Sequence, residues 1–76
     1  MMTDVAGNAK LAELMAERKM SKEALAVEIA TKSNGLIRVT AAAVNLWMNG
    51  GRPRPETQEV IAEIFGVDPR ELFPAD

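Results

Sequence analysis

Thr40-Ala41-Ala42-Ala43-Val44-Asn45-Leu46-Trp47-Met48-Asn49-Gly50 is the stretch whose reading decides the fold. Thr40 is a favoured helix cap, and the alanines behind it are strong helix formers. Val44, Trp47 and Met48 recur at three- and four-residue steps, so one side of the helix is apolar. Asn49-Gly50 closes it, because glycine just past a helix takes the left-handed conformation cheaply. The spacing aligns Trp47 with Val44 and makes it a core anchor.

Downstream, Gly50-Gly51-Arg52-Pro53-Arg54-Pro55 reads as a stiff, basic connection. Pro55 fits a first helical position, with Glu56 in the first turn. Val60, Ile61, Ile64 and Phe65 form the next apolar stripe, and Gly66 stops it. Asp68 caps a last short helix over 69–73, whose Leu72 and Phe73 close the core.

Upstream, Leu36-Ile37-Arg38-Val39 is a short β-prone piece, too isolated for a sheet, and reads as an ordered loop. Leu36 and Ile37 are either buried beneath it or exposed for a partner. Asn34-Gly35 is a turn signal. Before it, Ser21 caps a helix with Leu25, Ala26, Ile29 and Ala30 inward. A first helix over 8–19 has Asn8 as its cap and places Leu11, Leu14, Met15 and Arg18 along one stripe, with Met15 as core filler. The expectation is an all-α fold of five short helices around one core. It forms a single domain over 1–76, with the core in 8–73.

Composition narrows the function. The chain has 76 residues, 47% hydrophobic and 26% charged, as expected of a globular domain. No apolar run approaches the ~20 residues of a membrane span, so no membrane partner is expected. The first ten residues lack the pattern of a secretory signal, which implies a cytoplasmic location. There is no cysteine and no histidine. Disulfides, thiolate chemistry and the commonest general base and metal ligand are therefore absent, and no enzyme, metal or cofactor is expected.

Charge is unevenly spread. The net charge is −2, yet no Asp or Glu lies between Glu28 and Glu56. That window holds Lys32, Arg38, Arg52 and Arg54. An acidic body with a basic middle can orient a domain on a polyanion.

The order of features resembles the Cro/repressor-type (lambda-repressor-like, XRE-type) helix-turn-helix family over about residues 10–73. The likeness rests on Leu25-Ala26 and Ala30, on Thr40 at a helix start, and on Val44 through Gly50. It continues in the basic loop ending at Pro55 and in the run Ile61-Ala62, Phe65-Gly66-Val67-Asp68 and Leu72. It implies a compact five-helix domain that binds double-stranded DNA, usually as a homodimer, in transcriptional regulation, most simply as a repressor. The helix 40–49 would lie in the major groove. The family's base-contacting positions correspond to Ala41, Ala42 and Leu46, with Thr40 and Asn45 as the hydrogen-bonding readers and Asn49 on the same helix. Arg52 and Arg54 are the phosphate candidates.

The chain departs from the family in its turn. From Ala30 to Val44 it takes fourteen steps where the family takes about six. The turn between helices two and three is thus lengthened across 31–39. The added residues carry Lys32, Ser33, Asn34 and Arg38, which suit phosphates and bases, although a spacer without contact is equally compatible. The alternative is a protein-interaction module or antitoxin-like protein on the same fold, docking a protein partner through the alanine-rich helix, Leu46 and Leu36-Ile37.

Overall fold

Four side chains start helices by accepting a backbone N–H. Asn8 Oδ1 takes that of Leu11 at 3.0 Å, Ser21 Oγ that of Ala24 at 3.0 Å, Thr40 Oγ1 that of Ala43 at 3.3 Å, and Asp68 Oδ1 that of Arg70 at 2.8 Å. Each satisfies a donor the helix itself cannot. In a computed structural model that describes residues 8–74, the helices are α1 (Ala9–Glu17), α2 (Lys22–Lys32), α3 (Ala41–Met48), α4 (Pro55–Phe65) and α5 (Pro69–Leu72). The described residues contain no strand, so the all-α, five-helix expectation holds, and α2 and α3 are joined by the long connection 33–40. The expectation about the N-terminal segment falls on residues 1–7, outside the described residues.

The four longer helices end alike. Lys19, Asn34, Gly50 and Gly66 have positive φ, at 52°, 56°, 104° and 69°. In each case the next N–H reaches back to a carbonyl five residues earlier: Met20 to Met15, Gly35 to Ala30, Gly51 to Leu46 and Val67 to Ala62. This is the Schellman closure, which satisfies carbonyls a helix end leaves open. It trims the expected boundaries. α1 stops at Glu17 because the chain turns left-handed at Lys19, and α3 stops at Met48 with Asn49 as its C-cap. α5 ends at Leu72, one residue short of the expected 73.

The core is Leu11 and Met15 of α1, Leu25 and Ile29 of α2, Val44 and Trp47 of α3, Ile61, Ala62, Ile64 and Phe65 of α4, and Leu72 and Phe73. The largest fully buried side chains are Leu11, Leu25, Ile29, Val44, Ile61 and Leu72. Each contributes on the order of 1.5–3 kcal/mol of transfer free energy. Trp47 and Met15 are core residues, as their spacing implied.

Three polar side chains tie the ends together. Asn8 donates from Nδ2 to Leu72 O at 2.8 Å, while its backbone N–H reaches Met48 O at 2.8 Å. α1, α3 and α5 thus meet at one residue. Arg18 donates to Ile64 O at 2.9 Å near the end of α4, with its guanidinium 5.2 Å from the Phe65 ring centroid. A cation suits both the open carbonyls of a helix end and the face of an aromatic ring. Arg52 donates to Pro74 O at 2.8 Å and Phe73 O at 3.2 Å, clamping the chain beyond α5.

Candidate nucleic-acid interface

α3 is held from three sides. Val44 and Trp47 are buried, and Ala41 and Ala43 are half-buried. Thr40 caps the first turn, and Asn8 bonds the carbonyl of Met48 at the last. Close packing secures its exit, because a Cβ added to Gly51 would stand 3.0 Å from Leu46 O. The outward face comprises Thr40, Ala42, Asn45, Leu46 and Asn49, all exposed. Leu46 is 65% exposed, unusually open for its size. The Asn49 amide donates to Asn45 O at 2.8 Å and so serves the helix end. Ala41 lies at the edge of this face, half turned to the core.

The connection 33–40 is ordered by its own hydrogen bonds. Ser33 Oγ accepts the N–H of Ile37 at 3.0 Å and lies 3.3 Å from the carbonyls of Ala30 and Ile37. Asn34 and Gly35 turn the chain through consecutive positive φ values. Ile37 and Val39 pack on the core as half-buried side chains, while Leu36 stands 88% exposed. The alternatives left open for Leu36 and Ile37 are thereby divided between them. Lys32, Asn34 and Arg38 are exposed.

The second loop runs from Gly50 to Arg54. Its Pro53 is buried, and Gln58 fixes it by donating to Pro53 O at 2.8 Å. Arg54 is exposed at the start of α4. The two loops face each other across a cleft of about 500 Å³. Arg38 lines it from one side and Arg52 and Arg54 from the other, with Val39, Trp47 and Thr57 among the remaining walls. Among the described residues, Glu56 is the one acid bordering it.

The sequence-selected residues therefore fall into groups. Arg38, Arg52 and Arg54 come together in the cleft. Thr40, Ala42, Asn45, Leu46 and Asn49 share the open face of α3. Lys32, Ser33 and Asn34 lie at the end of α2, outside the cleft lining, and the Ser33 hydroxyl is engaged within its own loop. Arg52 differs from Arg54 in being bonded to two carbonyls of the same chain. Nothing near Arg52 in sequence announces that clamp, since its acceptors lie 21 and 22 residues away.

Among the described residues, no group of three or more His, Cys, Asp or Glu side chains is placed to hold a metal ion. No helix among them is long and apolar enough to cross a membrane. Every deeply buried side-chain nitrogen or oxygen among them has a hydrogen-bond partner. The pKa of Asp68 is displaced from its ordinary value. It is lowered chiefly by the hydrogen bond from the Arg70 N–H, helped by the Arg70 side chain 3.4 Å away.

These features define a small all-α domain with an arginine-lined cleft beside an exposed helix. The chain belongs to the SP15 N-terminal domain family, whose model matches residues 11–70, from the first core residue of α1 into α5. Neither the curated proteins nor the solved structures provide a match.

Proposed function

We propose that this domain binds double-stranded DNA as a transcriptional regulator of the Cro/repressor helix-turn-helix kind, and that it is a cytoplasmic homodimer without enzymatic activity. The observation that carries the reading is the convergence of Arg38 and Arg54 from two separate loops beside a helix whose outer face is free of acids. An α-helix is about 10–12 Å across with its side chains and fits a major groove about 12 Å wide. On this reading α3 enters the groove. Asn45 pairs with adenine, Ala42 contacts a thymine methyl, and Thr40 serves either a base or a phosphate. Lys32, Arg38 and Arg54 meet phosphates and set the register. Ser33, Asn49 and Arg52 act from behind by shaping the loops that present them.

Leu46 and Leu36 favour a second reading, in which the same face docks a protein or a second copy of the chain. Fluorescence anisotropy of a labelled random-sequence duplex, titrated over a salt series, separates the two. Binding that weakens steeply with salt, and that Arg38→Glu with Arg54→Glu abolishes in a folded protein, is the outcome expected. Absence of binding at low salt rejects the DNA reading in favour of the protein-docking one.

A further inference from the structure

The connection 33–40 has a second side. Opposite the arginine cleft, a larger groove of about 810 Å³ lies between this connection and the outer face of α4. Leu36, Ile37, Val60 and Val67 give it apolar walls. Glu56, Glu59 and Glu63 rim it, and no basic side chain lines it. Leu36, Ile37 and Glu56 border both concavities, so this one segment divides a basic cleft from an acidic groove.

We propose that this groove receives a cationic amphipathic helix from a partner protein. Three features fix that chemistry. First, the glutamates sit three and four residues apart and form one stripe about 10 Å long on α4. A helix with Lys or Arg at the same spacing runs alongside it in register. Second, all three are exposed, and the ion pair that occurs among the described residues is Arg70 with Asp68. Like charges at these spacings repel, and no ion pair among the described residues engages Glu59 or Glu63. Third, the apolar element is built to stand out. The Ser33 hydroxyl pins the base of the loop, and the two left-handed residues that follow send Leu36 outward, 88% exposed. A second copy of the chain does not fit as the occupant, because no described helix carries basic residues at matching spacing. α1 offers Lys10 among Glu13 and Glu17, and α2 has its lysines at opposite ends. The groove repels duplex DNA, so the inference goes beyond the DNA reading and does not depend on it.

The test uses the full 76-residue chain. The probe is a capped synthetic peptide of about 14 residues, roughly four helical turns, with leucine along one face and lysine elsewhere. A control peptide has glutamate in place of lysine. Amide chemical-shift mapping should place the cationic peptide at 33–37 and 56–69, with a Kd of about 10–100 μM at low salt. The control should not bind. Glu59→Gln with Glu63→Gln, and separately Leu36→Asp, should each weaken binding about tenfold or more, while Arg38→Glu should not. Leu36→Asp discriminates because it removes apolar contact while adding negative charge. If that variant binds as well or better, attraction is merely ionic and the proposal fails. It fails equally if the shifts map elsewhere or the peptide does not bind. It also fails if the protein alone self-associates in a way that Leu36→Asp abolishes, since the occupant is then a second copy.

Discussion

Replacing Arg54 and Arg52 separately with glutamine should give two different losses, although both residues sit in one short basic loop. Each phosphate neutralised contributes about −0.9 to the slope of log affinity against log salt. Lys32, Arg38 and Arg54 are exposed, whereas Arg52 is engaged with the carbonyls of Phe73 and Pro74. Three contacts give a slope of about −2.7 per protomer, where four would give about −3.6. Between 50 and 200 mM salt the three-contact protein loses about 40-fold in affinity, and Arg54→Gln loses only about 12-fold. Arg54→Gln should leave the melting temperature unchanged, because its side chain is exposed at a helix start that has no side-chain cap bond. Arg52→Gln should keep the slope near −2.7 but cost about 1 kcal/mol through its two charge-assisted hydrogen bonds, one of them fully exposed. In a domain of this size that is a fall of about 4–8 °C in Tm. The assays are anisotropy titrations of a random duplex over a salt series, with circular-dichroism melting of each variant. The assignment is refuted if Arg52→Gln flattens the salt dependence without lowering Tm, or if Arg54→Gln leaves the slope untouched.

Two further outcomes test the helix ends. Gly66 has φ 69° with nothing within 4 Å of an added Cβ, so Gly66→Ala should cost about 1 kcal/mol from backbone strain alone. Lys19 occupies the same conformation at φ 52°, and Lys19→Gly should stabilise by about 0.5–1 kcal/mol; chemical denaturation measures both. The lowered pKa of Asp68 means its ionised cap supports the fold above the ordinary value of 3.8, and the support is lost as pH falls through the lower folded value. Asp68→Asn retains a capping oxygen that does not titrate. The Tm difference between wild type and Asp68→Asn should therefore be flat above about pH 5 and turn against the wild type in acid.

The parts of this fold that were legible in the sequence are those set by residues close along the chain. Ser21, Thr40 and Asp68 announce their helices because a cap acts within three residues of itself. Val44 and Trp47 announce a buried face because helical spacing alone aligns them. Asn34-Gly35, Asn49-Gly50 and Gly66 mark stops because few residues accept a positive φ. Lys19 makes the same turn without any such mark. Its stop is set by tertiary structure, through Met20, which packs on the core with Met15 buried beside it. The candidate site divides in the same way. The basic residues of the middle segment could be counted, but Arg38 and Arg54 meet only because two loops fold towards each other. Arg18 illustrates the limit well. The sequence puts it on the stripe of the first helix, whereas it stands just past α1 as the C-cap and bonds Ile64 O, 46 residues away.

The lengthened connection between α2 and α3 is what gives the molecule two faces. Lengthening a loop costs little, about 0.6 kcal/mol for each doubling, so tolerance alone would explain its length. Its order is what calls for explanation. A mere spacer would not need the Ser33 hydroxyl bonded into its turn, two consecutive left-handed residues, and Ile37 and Val39 packed on the core. Those features hold Arg38 toward one concavity and Leu36 at the edge of both. In the proposed DNA complex this matters because α3 offers few readers. Ala41, Ala42 and Leu46 form no side-chain hydrogen bonds, which leaves Thr40 and Asn45 for base edges. Discrimination between sites must then come largely from the shape of the duplex, read through phosphate positions set by Lys32, Arg38 and Arg54. An ordered loop is required for that, because a cation that moves freely neutralises any phosphate within reach and distinguishes none. In the proposed complex, the hydrogen-bonded turn of 33–40 therefore serves to position Arg38 as well as to connect two helices.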